Sequence, residues 1–139
     1  MNAVDTNVLV YNLDPTEPVK QAKAANLLVR LGNETAPPVL LWQVLGEFVR
    51  QLRTWENNGR LTRQDVLDHV KAVRGLFSLV MPTPNVLDAA LDLAARFSLS
   101  HWDSMILGAC KEVGVVTLYS EDMGAPTTYD GIQLISPFA

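Results

Sequence analysis

The stretch Ala3-Val4-Asp5-Thr6-Asn7-Val8-Leu9 decides the fold expected for this chain. Residues 2–5 are a short, mostly apolar start that predicts a strand, and the residues from Thr6 to Asn12 predict a short helix. Asp5 is therefore expected where the strand ends and the helix begins. Because open α/β sheets bind their ligands at the carboxyl ends of the strands, Asp5 is the first candidate functional residue.

Four further apolar runs alternate with amphipathic helical patterns. They predict strands at 39–41, 79–81, 115–119 and 132–135, the last of them at a sheet edge after a polar loop that contains Asp130-Gly131. Strands that alternate with helices are typical of a parallel sheet covered by helices. We therefore expect one α/β domain over residues 1–139, with three layers and a short, mostly parallel central sheet flanked by helices.

The composition is that of a globular protein rather than a disordered one. Of 139 residues, 48% are apolar and 19% are charged. No apolar run approaches the roughly 20 residues that span a bilayer. The first residues lack the basic start of a signal peptide, so a cytoplasmic location is expected. A single cysteine, Cys110, excludes an internal disulfide and is expected in the core.

A net charge of −4 is unusual for a protein that binds nucleic acid. Whether this charge argues against a nucleic-acid partner depends on where the acids lie. If four of the fifteen carboxylates hold divalent cations, the remaining eleven balance the eleven lysines and arginines. Net charge therefore does not exclude a nucleic-acid partner.

Four acids stand at positions that would bring them to one sheet edge. Asp5 and Asp122 directly follow predicted strands, while Glu47 and Asp103 lie in the first two turns of predicted helices. Such carboxylates would repel one another unless cations compensated them. Hard oxygen ligands suit Mg²⁺ or Mn²⁺. Ions of this kind can activate a water for attack on a phosphodiester.

Each acid also has a purely structural interpretation. Asp5 has the position of a helix N-cap, and Glu47 lies on a polar helix face where most glutamates are solvated. Ser100 and Asp103 have the spacing of a capping box. Asp122 is also an ordinary turn residue. Only the order and spacing of the four acids together favour a common site.

The motif Val4-Asp5-Thr6-Asn7-Val8-Leu9 resembles the opening motif of PIN domains. Glu47, Asp103 within Trp102-Asp103-Ser104, and Asp122 within Ser120-Glu121-Asp122-Met123 match the remaining acids of that family in order. The ending from Asp130-Gly131-Ile132 to Ser136-Pro137-Phe138 resembles that of bacterial VapC-type toxins. The resemblance covers nearly the whole chain.

This resemblance implies a Mg²⁺- or Mn²⁺-dependent endoribonuclease that hydrolyses RNA with a metal-activated water. It implies a homodimer and, in the toxin branch, a cognate antitoxin protein as inhibitor. The implied metal-binding and catalytic acids are Asp5, Glu47, Asp103 and Asp122, with Thr6 and Ser120 as hydroxyl neighbours. Glu121, which is adjacent to Asp122, is a rival for the fourth position.

Other side chains suggest how RNA would be held. Arg50 lies one turn beyond Glu47 and is a candidate contact for an RNA phosphate. Trp42, Trp55 and Trp102 could stack on bases, although the helical spacing of Trp102 favours a place in the core.

Three alternatives stay open at this point. The chain could be a PIN-like RNA-processing nuclease outside a toxin pair. It could be a phosphatase with Asp5 as nucleophile, although Asn7 stands where such an enzyme would have a second aspartate. It could also be a binding module that uses the apolar helix pair around residues 41–77.

Overall fold

The computed structural model describes residues 1–139. Its strands are β1 (Asn2–Val4), β2 (Val39–Leu41), β3 (Ser78–Val80), β4 (Thr117–Tyr119), β5 (Thr127–Tyr129) and β6 (Ile132–Ile135). Its helices are α1 (Thr6–Tyr11), α2 (Pro18–Gly32), α3 (Trp42–Asn57), α4 (Arg63–Leu76), α5 (Pro84–Phe97) and α6 (His101–Val113). None of these helices is both long enough and apolar enough to cross a membrane.

All six strands form a single sheet in the order β3-β2-β1-β4-β6-β5. Every neighbouring pair is parallel except β5 and β6. The chain lays down β1, β2 and β3 in one direction and then returns to place β4 on the other side of β1. The strand order therefore reverses between β1 and β4, which is where open α/β sheets usually bind ligands.

The helices form two groups, because right-handed crossovers put the connections on opposite faces of the sheet when the direction reverses. α1 contacts both α2 and α3, and α3 contacts α4, whereas α5 packs against α6. The α5–α6 contact is close at Gly108, where an added Cβ would lie 2.8 Å from the carbonyl oxygen of Val86. The expected α/β fold with a mostly parallel sheet and flanking helices is confirmed.

The apolar stripe of α3 is buried in the chain's own core. Val44, Leu45, Phe48, Leu52 and Trp55 are at most 8% exposed. The helix pair around residues 41–77 therefore presents less apolar surface to a partner than the sequence pattern suggests. The expectation for Cys110 is confirmed, because its side chain is fully buried in the same core.

The prediction that residues 132–135 form an edge strand was wrong. β6 lies between β4 and β5, and the edge is β5, which falls in the segment expected to be a polar loop. The two strands form a hairpin across Asp130-Gly131, whose φ values of 49° and 86° are those of a type I′ turn. The Asp-Gly pair was a recognisable hairpin signal, but Thr127–Tyr129 is too short and polar to show strand periodicity.

Candidate active site

Asp5 and Ser120 follow two neighbouring parallel strands and meet at the carboxyl edge of the sheet. Asp5 comes directly after β1, and Ser120 comes directly after β4. The Asp5 backbone N–H continues the ladder by donating to the carbonyl oxygen of Tyr119 at 2.8 Å. Both residues therefore lie at the point where the strand order reverses.

Asp5 is a buried carboxylate whose two oxygens are both hydrogen-bonded. Its side chain is 5% exposed. The backbone N–H of Thr6 donates to Oδ1 at 2.7 Å, which makes Asp5 the N-cap of α1, and the Ser120 hydroxyl donates to Oδ2 at 2.7 Å. The structural interpretation of Asp5 as a cap is thus correct, but a cap does not need to be buried.

Burial raises the pKa of Asp5 to about 6. The hydrogen bonds from Ser120 and Thr6 oppose this rise, while the negative charges of Glu47 and Asp122 add to it. The pKa of Asp5 thus shows that Glu47 and Asp122 lie close enough to influence it. A cation between them would relieve both the desolvation and the repulsion.

Glu47 reaches the same edge from α3. The Thr6 hydroxyl donates to its Oε2 at 2.6 Å, and the Gln43 amide donates to its Oε1 at 3.0 Å. Thr6 therefore links the two acids: its backbone N–H binds Asp5 and its hydroxyl binds Glu47. Gln43 also donates to the carbonyl oxygen of Trp102 at 3.4 Å, so the start of α6 lies beside the start of α3.

Asp122 is held on the other side of Asp5. Its backbone N–H donates to Ser120 Oγ at 3.0 Å. The Asn7 amide bridges the two residues, donating to Ser120 Oγ at 3.3 Å and to Asp122 Oδ2 at 3.2 Å. Asn7 Oδ1 is buried and has no hydrogen-bond partner, which is a rare condition for a polar atom inside a protein.

Glu121 faces away from this cluster. Its Oε2 accepts from the Lys20 ammonium at 3.0 Å, and its Oε1 accepts from the Tyr11 hydroxyl at 2.9 Å. The hydrogen bond to Glu121 raises the pKa of Lys20. Glu121 is therefore engaged in an ion pair with Lys20, whereas Asp122 lies next to Asn7 and Ser120.

Asp103 lies in the first turn of α6 and forms only half of the predicted capping box, because its carboxylate accepts no bond from the Ser100 backbone N–H. Its backbone N–H donates to Ser100 Oγ at 3.3 Å. No hydrogen bond joins its half-buried carboxylate to Asp5, Glu47 or Asp122. Hydrogen bonds thus link three of the four predicted acids, and α6 brings the fourth to the neighbourhood of Glu47 through Gln43.

The cluster provides oxygen ligands for a cation, but it does not form a complete coordination shell. No three His, Cys, Asp or Glu side chains are arranged so that they could hold a metal ion by themselves. Mg²⁺ keeps several waters and needs only one or two carboxylates, so Asp5 with Glu47 or Asp122 suits it. The residues present fit a hydrated, hard divalent cation.

A comparison with known protein families assigns the chain to one of them. Residues 3–128 match the family model of the PIN domain. The chain belongs to the PIN domain family. The resemblance noted in the sequence is thereby confirmed, and no curated protein sequence is significantly similar to this PIN domain.

Solved structures with this PIN fold have low sequence identity to the chain. One is described as a toxin–antitoxin complex from Klebsiella pneumoniae, with 12% identity, a TM-score of 0.70, and coverage of 99% of this chain and 98% of that one. VapBC2 from Rickettsia felis, bound to a promoter DNA fragment, has 11% identity, a TM-score of 0.72 and 97% coverage of both chains. Mycobacterium tuberculosis VapC20, described as a Sarcin-Ricin loop cleaving toxin, has 15% identity, a TM-score of 0.62, and coverage of 96% and 99%. These likenesses establish the fold.

Sequence reasoning missed two polar residues of this PIN domain's cluster, Asn7 and Gln43. Asn7 follows Asp5 by two residues at the carboxyl end of β1, so its position was a usable signal. Gln43 precedes Glu47 by four residues and shares its helix face. The prediction for Trp102 was wrong, because its side chain is 63% exposed rather than part of the core.

Proposed function

We propose that this protein is a divalent-metal-dependent endoribonuclease and the toxin of a type II toxin–antitoxin pair. The observation that carries the proposal is the buried carboxylate of Asp5, linked to Glu47 through Thr6 and to Asp122 through Ser120 and Asn7. Membership of the PIN domain family and the fold of the toxin complexes support it. Mg²⁺ or Mn²⁺ is the proposed cofactor.

Asp5 together with Glu47 or Asp122 would bind the cation directly, and the remaining acids of the predicted four, including Asp103 on α6, would bind it through its water ligands. When bound, such an ion lowers the pKa of its water and stabilises the leaving oxygen of a phosphodiester. Thr6 and Ser120 position the carboxylates of Glu47 and Asp5 by donating to them, and the Asn7 amide positions Asp122 in the same way. Arg50, exposed and one turn beyond Glu47, would contact the RNA backbone.

The phosphatase alternative is less well supported. Each oxygen of Asp5 accepts one hydrogen bond, from Thr6 or Ser120, which lowers its nucleophilicity but leaves a lone pair for a cation. Asn7, at the position of the missing second aspartate, holds Ser120 and Asp122. A PIN-like RNA-processing nuclease would use the same acids, and only the partner would distinguish it from a toxin.

The nuclease is tested by RNA cleavage with purified protein in Mg²⁺ or Mn²⁺ and in EDTA. Asp5→Asn and Glu47→Gln are expected to lower cleavage by at least 100-fold, since each removes a charge that the cation needs. Asp88→Asn, at an exposed position on α5, is the matched control and should cleave normally. Full activity of folded Asp5→Asn, or cleavage in EDTA, would refute the proposal.

The partners require separate measurements. We propose an antitoxin encoded beside this chain and a homodimer formed through apolar surface such as Leu87 and Leu91 on α5, which are 46% and 60% exposed. Co-purification with the neighbouring gene product, followed by loss of RNA cleavage in the complex, would support the toxin assignment. Cleavage that no neighbouring product inhibits would favour the RNA-processing alternative.

A further inference from the structure

An apolar groove lies at the carboxyl ends of β2 and β3, beside the acidic cluster. It encloses about 310 Å³, at the low end of the volumes of small-molecule sites. Its walls include Trp42, Met81 and Trp102, which are 49%, 57% and 63% exposed. Large apolar side chains exposed together around one groove indicate a binding surface.

The groove is continuous with the proposed site through Gln43. Gln43 lines the groove, and its amide donates both to Glu47 and to the carbonyl oxygen of Trp102. Gln43, Glu47 and Arg50 have the spacing i, i+4, i+7 and therefore share one face of α3. About 10 Å of helix separates the groove from Arg50, a distance that a few nucleotides span.

The charges around the groove favour a ligand with an anionic backbone and an aromatic side group. Arg50 and Arg53 on α3 make no ion pair within the chain, so both are free to contact phosphates. Glu112, in contrast, lines the groove itself and would repel a phosphate there. A nucleic-acid strand would therefore place its phosphates towards α3 and a base in the groove.

We infer that this groove binds an unpaired nucleobase of the RNA, which stacks on Trp42 and Trp102. Base–aromatic stacking tolerates any base, because every base has a π-face. The inference rests on the proposed function and deepens it. It predicts that the substrate is single-stranded, or has a base free to leave its stack, next to the cleaved bond.

The test measures binding rather than cleavage. A fluorescein-labelled single-stranded RNA octamer is titrated in EDTA and followed by fluorescence anisotropy. Trp42→Ala and Trp102→Ala should each weaken binding about 5- to 150-fold, the range expected for one stacked base. Trp42→Phe and Trp102→Phe, which keep an aromatic face, should recover most of the affinity. Val29→Ala, exposed on α2 outside the groove, is the matched control.

An octamer with abasic ribose units tests stacking directly. The unsubstituted chain should bind it as weakly as the alanine variants bind the intact octamer, and the alanine variants should not discriminate between the two RNAs. Equal binding of both RNAs by the unsubstituted chain would refute the inference. So would alanine variants that keep full RNA affinity but change the oligomeric state in sedimentation, because the groove would then join two copies.

The two proposals can fail independently. If Asp5→Asn keeps its nuclease activity while the tryptophan variants lose RNA affinity, the groove binds bases without the proposed catalytic site. If cleavage depends on Asp5 but the tryptophans do not affect binding, the chain is a nuclease whose RNA takes another route.

Discussion

Replacement of Asp5 by asparagine should stabilise the protein while abolishing its proposed activity. The pKa of Asp5 in the folded protein is about 6, against 3.8 for the free side chain. A pKa shift of one unit corresponds to 1.36 kcal/mol, so keeping this carboxylate charged at pH 7.5 costs the folded state on the order of 3 kcal/mol. The neutral amide of asparagine does not carry that cost.

The gain should be smaller than the full electrostatic cost. Ser120 Oγ already accepts from Asp122 and Asn7, so it has little capacity for a new donor from the asparagine amide. We expect a net stabilisation of about 1–2 kcal/mol. This corresponds to a rise in melting temperature of about 3–7 °C for a chain of this length.

The pH dependence gives the sign of the effect. The pKa of Asp5 is higher in the folded protein than in the unfolded one. Between about pH 4 and pH 6, Asp5 is therefore protonated to a greater extent in the folded protein. Stability is therefore lost as the pH rises through this window, and the cost is fully present above pH 6. The difference between Asp5→Asn and the unsubstituted chain should largely vanish at pH 4.

Thermal unfolding in EDTA at pH 4 and pH 7.5 provides the measurement. Mg²⁺ should then raise the melting temperature of the unsubstituted chain at pH 7.5 and leave that of Asp5→Asn unchanged. Asp65→Asn is the control and should instead lower the melting temperature at pH 7.5. Hydrogen bonds at the start of α4 lower the pKa of Asp65, so its charged form stabilises the folded protein. The reasoning is refuted if Asp5→Asn melts below the unsubstituted chain at pH 7.5, or if both show the same pH dependence.

Two further substitutions test the packing of the helices and the contact with RNA. Gly108→Ala should destabilise the protein by about 1–3 kcal/mol in urea unfolding, because its Cβ would meet the Val86 carbonyl at 2.8 Å. Gly46→Ala, which has open space around it, should instead stabilise by about 0.5–1 kcal/mol; equal effects would contradict the packing argument. Arg50→Ala should weaken RNA binding and reduce its salt dependence by about one counterion, whereas Arg74→Ala, at the end of α4 that leads into β3, should bind normally.

Much of the fold could be predicted because its signals are local. The apolar runs at β1, β2 and β6 and the periodic stripe of α3 depend on residues within a few positions of one another, as does the cap at Ser100. The order of the acids could also be assigned, since Asp5 and Asp122 each follow a strand. β5 escaped prediction because its residues are mostly polar and lack the apolar run that marked β1 and β2, which are equally short.

The tertiary structure alone decided which of these side chains act together. Glu121 and Asp122 are adjacent in sequence, and the ion pair of Glu121 with Lys20, 101 residues away, turns the two carboxylates apart. Helical spacing assigned Trp102 to an apolar stripe, but only the packing of α6 leaves that side chain exposed on a groove. The sequence determined which residues share an element or a face, because those relations are local. Which faces are covered, and which carboxylate becomes costly through burial, depended on contacts between elements distant in the chain.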